Sequence, residues 1–319
     1  MDIKNYAESL AEEIRKENED LEVDVQENLK NNDFKRVGLS IKKKGEHIAP
    51  NIYVDDMFKD GLSIDKAKKE VLSLYEEFKV SPFDVEKLAD FLSDYEKVKE
   101  NICIRVLGYE QNKENIKNCP YMIFGDLVCL FYVCVDVDKT GDITGGSIKV
   151  HNDLCSKWNI TLLELCEKAI ENTRRIFPME MKTMYDTLAE MKPEAFSDAK
   201  DLIEEQNPMM IVSNKVKSYG ASCILDKESL NEIADKMNCN FYIIPSSIHE
   251  LIVLPEEFDK NALCSGSDEE DTMKFILDMV KEVNECALPP SDKLTDNVYF
   301  YDKDKEVLYD AEKNIIILP

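Results

Sequence analysis

The stretch FYIIPSSIHELIVLPEE, Phe241 to Glu257, sets two serines, one of the chain's three histidines and a glutamate between two apolar runs. A serine hydroxyl becomes a nucleophile only with a proton acceptor in hydrogen-bond reach, so His249 could act as general base for Ser246 or Ser247, with Glu250 orienting the imidazole. The spacing opposes this. Adjacent residues on a strand point to opposite faces, so His249 and Glu250 diverge unless the turn folds them together. Ser247 and His249 can share a face, but Ser247 lacks the glycine-flanked elbow of the hydrolases. The reading preferred here is a β-connection: Pro245 ends one strand, the serines bond their own backbone, and Pro255 ends the next. Ser246 is kept as a candidate contact for a ligand or partner.

DVDKTGDITGGS places Asp136, Asp138 and Thr140 as the first half of a calcium loop, with Gly141 at the sharp turn. The twelfth position should carry a bidentate carboxylate and is Ser147, so a tight hairpin turn is the better account. There is no CxxC and no HxxxH. Cys129 and Cys134 fall five apart on a strand, hence on opposite faces, and His151 and Cys155 stand apart from other ligands, which leaves no metal set. Cys155 and Cys264 lie in polar surroundings and are the candidate reactive thiols. No Walker loop or dinucleotide fingerprint occurs, so no cofactor is expected. Lys42, Lys43 and Lys44, with Lys35 and Arg36, flank one strand. They are candidate contacts for an anionic partner and, in the preferred reading, protect a sheet edge from aggregation.

Lys and Arg total 40 against 65 Asp and Glu, a formal charge of −25. That excess opposes direct binding to nucleic acid or to an anionic membrane. No apolar run approaches the length needed to cross a bilayer, and the acidic amphipathic start is unlike a signal peptide, so a cytoplasmic protein is expected. The ten cysteines, several inside apolar runs, then read as reduced and mostly buried thiols.

The elements that would position these residues follow from periodicity. Ile3, Ala7, Leu10 and Ile14 mark an opening helix; LEVDVQENL, RVGLSIKKK and HIAPNIYVDD read as three strands; Ile64, Ala67, Val71, Leu74 and Phe78 mark a second helix. A helix over 85–99 and the strands ICIRVLGY and DLVCLFYVCVDV follow, the last apolar throughout and therefore central. GSIKVHNDL is a further strand or the approach to a helix. Thr161 and Glu164 form a capping box ahead of a stripe at Leu162, Leu165, Cys166, Ala169 and Thr173. The Met, Lys and Glu-rich span 178–208 reads as a helical connection between an N-terminal region, 1–177, and a C-terminal domain, 209–319. In that domain MMIVSN and GASCILD read as strands, followed by a helix with Ser229 and Glu232 in capping-box spacing, a strand pair, a second helix and closing strands. The fold class is α+β: two mixed or antiparallel-sheet layers with packed helices, in alternating helix and strand-pair units.

GASCILDKESLNEIADKMNCNFYIIPSSIHELIVLPEE, with VNECALPPSDKLTDNVYFYD after it, resembles the C-terminal half of a bacterial family known as domain of unknown function 5688. GLSIKKKGEHIAPNIYVDD and NDLCSKWNITLLELCEKAIENT resemble its N-terminal half, so the resemblance covers most of the chain. The layout of the last third is more distantly similar to another uncharacterised family, numbered 1444. The resemblance implies a cytoplasmic bacterial accessory protein, mobile-element associated, and carries no site residue with it. The expected function is non-enzymatic binding of another protein. The alternatives are a small hydrolase using a Ser/His or Cys site near Ser247 and His249, and an acidic inhibitor that mimics DNA.

Overall fold

The computed structural model describes residues 2–45, 49–79, 90–135, 146–191, 209–256, 269–286 and 288–318. The chain divides into two compact units, Met1–Ser93 and Asp94–Pro319.

In the first unit the sequence periods become structure directly. α1 (Ile3–Glu17) starts at Asp2, whose carboxylate accepts from the Asn5 N–H at 2.8 Å. It buries Ala7, Leu10, Ala11 and Ile14 on one stripe, each large aliphatic contributing about 1.5–3 kcal/mol. The antiparallel strands β1 (Leu21–Leu29), β2 (Lys35–Lys43) and β3 (Asn51–Tyr53) lie in that order, with Val23, Leu39, Ile41 and Ile52 in the same core as α1. α2 (Asp55–Lys59) and α3 (Ile64–Lys79) follow, the latter burying Ala67, Val71 and Tyr75 while Leu74, expected on its inner stripe, is exposed. The lysines do not guard an edge as expected, because β2 is the middle strand. Lys42 reaches Glu22, its partner in register across β1, at 3.2 Å, and Lys43 and Lys44 are exposed at the strand's end.

The second unit begins with α4 (Tyr95–Val98), part of the expected helix over 85–99, of which 85–89 lies outside the described residues. Next come β4 (Ile102–Gly108), β5 (Tyr121–Phe124), β6 (Leu127–Cys134) and β7 (Ser147–Lys149), all pairing antiparallel. β6 is central, flanked by β4 on one side and by β5 and then β7 on the other, and all eight of its residues are buried, as its unbroken apolar run predicts. α5 (Asn152–Trp158) and α6 (Leu162–Ile176) follow. The capping box at the start of α6 forms: the Glu164 N–H donates to Thr161 Oγ1 at 3.2 Å and the Thr161 N–H to Glu164 Oε2 at 3.0 Å. The buried stripe is Leu165, Cys166, Ala169, Asn172 and Ile176; Leu162 is exposed.

Of the span 178–208 expected as a helical connection, 179–183 is a strand, 184–191 is helical and 192–208 lies outside the described residues. β8 (Met179–Thr183) pairs with β9 (Met210–Asn214), with α7 (Met184–Met191) after β8, so the expected boundary falls inside the second unit. Every residue of β8 is half-buried, which gives its sequence no period to read. α8 (Lys227–Met237), β10 (Phe241–Pro245), β11 (Leu251–Pro255), α9 (Glu269–Cys286), β12 (Tyr299–Asp302), β13 (Val307–Asp310) and β14 (Ile315–Leu318) complete the unit. The second sheet has seven strands, ordered β14-β13-β12-β10-β11-β9-β8. GASCILD is not a strand: Gly220–Leu225 forms a 3-10 turn, and the cap of α8 is Asp226, which accepts from the Ser229 N–H at 3.2 Å. No helix among the described residues is long and apolar enough to cross a membrane.

Candidate functional site

Strand alternation on β4, β6 and β7 assembles a polar wall. Cys103 pairs with Tyr132, Tyr132 with Lys149 and Cys134 with Ser147, so Cys103, Arg105, Tyr132, Cys134 and Ser147 share one sheet face. Arg105 is the single charge in ICIRVLG. Its Nη2 donates to Ser147 Oγ at 2.6 Å, and its guanidinium carbon lies 4.0 Å from the Tyr132 ring centroid and 3.9 Å from that of Tyr219. Such cation–π contacts contribute about 0.5–2 kcal/mol each. A cleft of about 220 Å³ opens here, lined among others by Arg105, Tyr132, Ser147, Tyr219, Cys103 and Cys134. Ile104, Phe177 and Val216 supply apolar lining.

Tyr219 reaches Arg105 from the segment after β9, through two local constraints. Tyr219 itself is left-handed, at φ 53°, a conformation that costs a non-glycine residue free energy and persists only when its surroundings enforce it. Gly220 follows, where a Cβ would lie 2.5 Å from Ser213 Oγ, 2.6 Å from His249 O and 2.8 Å from Asn214 N. Only glycine lets the backbone approach so closely. The enforcing group is His249. Its Nδ1 accepts from the Tyr219 N–H at 3.1 Å, its ring lies 5.4 Å from the Tyr219 ring, and its Nε2 stands 3.9 Å from Asp292 Oδ2. An accepting Nδ1 puts the proton of the neutral ring on Nε2, on the side of Asp292.

His249 therefore serves Tyr219, not Ser247. The Ser247 hydroxyl accepts from the backbone N–H of His249 at 3.0 Å, and the Ser247 N–H donates to Glu250 O at 3.1 Å. That is the backbone-bonding turn, closed by Pro245 at the end of β10 and leading into β11. Ser247 is buried, Ser246 and Glu250 are half-buried, and no hydrogen bond joins the His249 ring to either serine. The serine-nucleophile arrangement is thus not formed, because the His249 ring nitrogens face the Tyr219 N–H and Asp292 and not Ser247.

The thiol chemistry also moves. Cys134 is held below the ordinary thiol range by a hydrogen bond from Cys103, against its own burial, and Arg105 adds to the effect. Cys103 is pushed up by the same bond and by burial. Burial pushes Tyr132 up to about 12, with Arg105 opposing. Cys155, expected to be reactive, is half-buried and raised by burial, which keeps its proton on. Cys119 lies 3.9 Å from His151 Nδ1, but burial raises its thiol too, and its Sγ is 3.8 Å from the Asn115 carbonyl. Cys264 and the calcium-loop residues Asp136, Asp138 and Thr140 lie outside the described residues. Among the described residues no group of three or more His, Cys, Asp or Glu side chains could hold a metal ion.

Sequence reasoning missed Arg105, Tyr132, Cys103 and Tyr219. A signal for Arg105 was present, since a lone charge inside an apolar strand demands a partner. Nothing local marked Tyr219. Comparison with curated proteins and with solved structures gives no match. The model of the family described as a family of unknown function, DUF5688, matches residues 3–303, and the chain belongs to that family.

Proposed function

We propose that this protein acts on a small molecule held in the Arg105 cleft, as a thiol-dependent hydrolase with Cys134 as the attacking group. The observation that carries the reading is the convergence on one cleft of the Arg105 guanidinium and a thiol drawn below its ordinary range. The thiolate is the nucleophilic form of cysteine, and a neighbouring cation raises its population near neutrality. On an ester, the Cys134 sulfur bonds to the acyl carbon and the alkoxide leaves, taking a proton from water. The hydroxide so formed bonds to the acyl carbon and expels the Cys134 thiolate, giving the carboxylic acid, which loses its proton to solvent. Tyr219, fixed by His249 and Gly220, closes the cleft around Arg105. The competing class, docking of another macromolecule, has no comparable convergence of side chains among the described residues.

The test is hydrolysis of a panel of small chromogenic esters by the full chain and by Cys134→Ser, together with iodoacetamide labelling read by peptide mass spectrometry. Turnover lost in the variant and early labelling of Cys134 are expected. Turnover unchanged in Cys134→Ser, or no turnover with Cys134 among the last thiols to label, discards the reading.

A further inference from the structure

The chemistry of the ligand can be read from how Arg105 is held. We propose that the cleft takes a small molecule with an oxyanion head group, a carboxylate or a phosphate, bound by the Arg105 guanidinium and the Ser147 hydroxyl. This deepens the reading above and rests on it for the location of the site.

The chain has five arginines. Arg36 pairs with Asp55 at 3.1 Å and Asp56 at 2.7 Å, Arg174 with Asp226 at 3.0 Å and Glu228 at 2.6 Å, and Arg175 stands 3.9 Å from Glu100. Arg15 donates from Nε to the Val23 carbonyl at 2.8 Å. Arg105 has no carboxylate within ion-pair distance among the described residues, in a chain with 65 acidic side chains against 40 basic ones. Its charge is met by the two tyrosine rings and a serine.

Those contacts do not exhaust it. A guanidinium carries five N–H donors in a fixed fork. Among the described residues the ring faces stabilise its charge, and hydrogen bonds to the Ser147 and Tyr132 hydroxyls use two of the five donors. The remaining fork matches the paired oxygens of a carboxylate or phosphate. Ser147 accepts from Arg105, so its own O–H is left to donate to the same anion. Packing between tyrosines also holds the guanidinium in place, which reduces the ordering cost of binding. Ile104, Phe177 and Val216 line the same cleft and suit a short hydrocarbon body attached to the head group.

The full chain is titrated separately with butyrate and with inorganic phosphate, and binding is followed as protection of Cys134 from iodoacetamide, with the exposed Cys286 as the internal reference. Saturable protection of Cys134 by at least one anion is expected, with Cys286 unaffected. Arg105→Gln should weaken that binding about tenfold to a hundredfold, the size expected for a lost charge-assisted hydrogen-bond pair. Protection by butyrate alone identifies a carboxylate ligand, and by phosphate alone a phosphoryl ligand. Should Arg105→Gln not fold, Ser147→Ala is the second variant, with a loss of roughly threefold to tenfold. Protection by neither anion, or equal protection in wild type and variant, overturns the inference. Fast labelling of Cys134 that no anion slows removes the oxyanion and leaves the thiol reading standing. Butyrate or phosphate binding seen by NMR beside an inert Cys134 does the reverse.

Discussion

Two pairs of thiols sit on opposite faces of the central strand β6, and they differ in what surrounds them. On one face Cys129 meets Cys166 of α6; on the other Cys134 meets Cys103 of β4. In each pair one thiol is pushed up by burial and by the shared hydrogen bond, namely Cys129 and Cys103. The other, Cys166 or Cys134, is drawn down by receiving that bond. Hydrogen bonding alone therefore does not distinguish them. Cys134 differs by having Arg105 as a neighbour and a cleft in front, whereas Cys166 has Glu167, whose charge opposes the thiolate. The lesson is that a sulfur pair is packing until a cation and an opening are added to it.

The largest expected effect is the contrast itself. Cys134 and Cys166 are both buried, so the neighbouring Arg105 and Glu167 charges set the difference, and iodoacetamide should label Cys134 about tenfold faster than Cys166; time-resolved peptide mass spectrometry measures both sites in one sample. Equal rates would sink the distinction. Next comes Gly220→Ala, whose new Cβ meets backbone at His249 O and Asn214 N. It should cost roughly 1–3 kcal/mol in chemical denaturation and reduce the Cys134 rate while leaving Cys166 as it was. A variant as stable as wild type would show that the Tyr219 segment has slack.

Cys103→Ala should then move the pH profile of Cys134. The hydrogen bond from Cys103 holds the Cys134 thiol below the ordinary value, so in the wild type the thiolate persists to lower pH and labelling levels off earlier as pH rises. Without the donor the profile should shift to higher pH, and an unshifted curve would assign the lowering to Arg105 alone. His249 offers the smallest effect. His249→Leu removes the acceptor of the Tyr219 N–H and should weaken butyrate or phosphate binding by about 1 kcal/mol, while His249→Asn, which keeps a carbonyl acceptor near Nδ1, should recover part of it. Calorimetric titration of both variants is the check, and identical losses in the two would argue against a positioning role.

Much of the architecture was legible because it is local. The apolar stripe of α1, the alternation and clustering of β1 to β3, the Thr161–Glu164 box and the unbroken apolar β6 each carry their signal within a few residues. The misreadings share a cause. β8 is half-buried at every position, so no period appears. GASCILD is apolar because its 3-10 turn is packed inside the unit, with Gly220, Ala221, Ser222, Ile224 and Leu225 buried. Ser229 looked like a cap and is buried as the residue that the true cap, Asp226, binds.

The sequence by itself determined that Cys129 and Cys134 lie on opposite faces, that Pro245 and Pro255 end their strands, and that Ser247 between them bonds backbone. These follow from the two-residue period of strands and from the chemistry of proline and serine in turns. It could also have flagged Arg105 as a charge in need of a partner. Only the tertiary structure decided who the partners are: Ser147 across β6 and β7, and Tyr219, more than a hundred residues along the chain, held by His249 from a third segment. Hydrophobic periodicity records how much of a side chain is buried, whereas a binding site depends on which distant side chains arrive beside it, and that is set by sheet order and by the close approach that Gly220 permits.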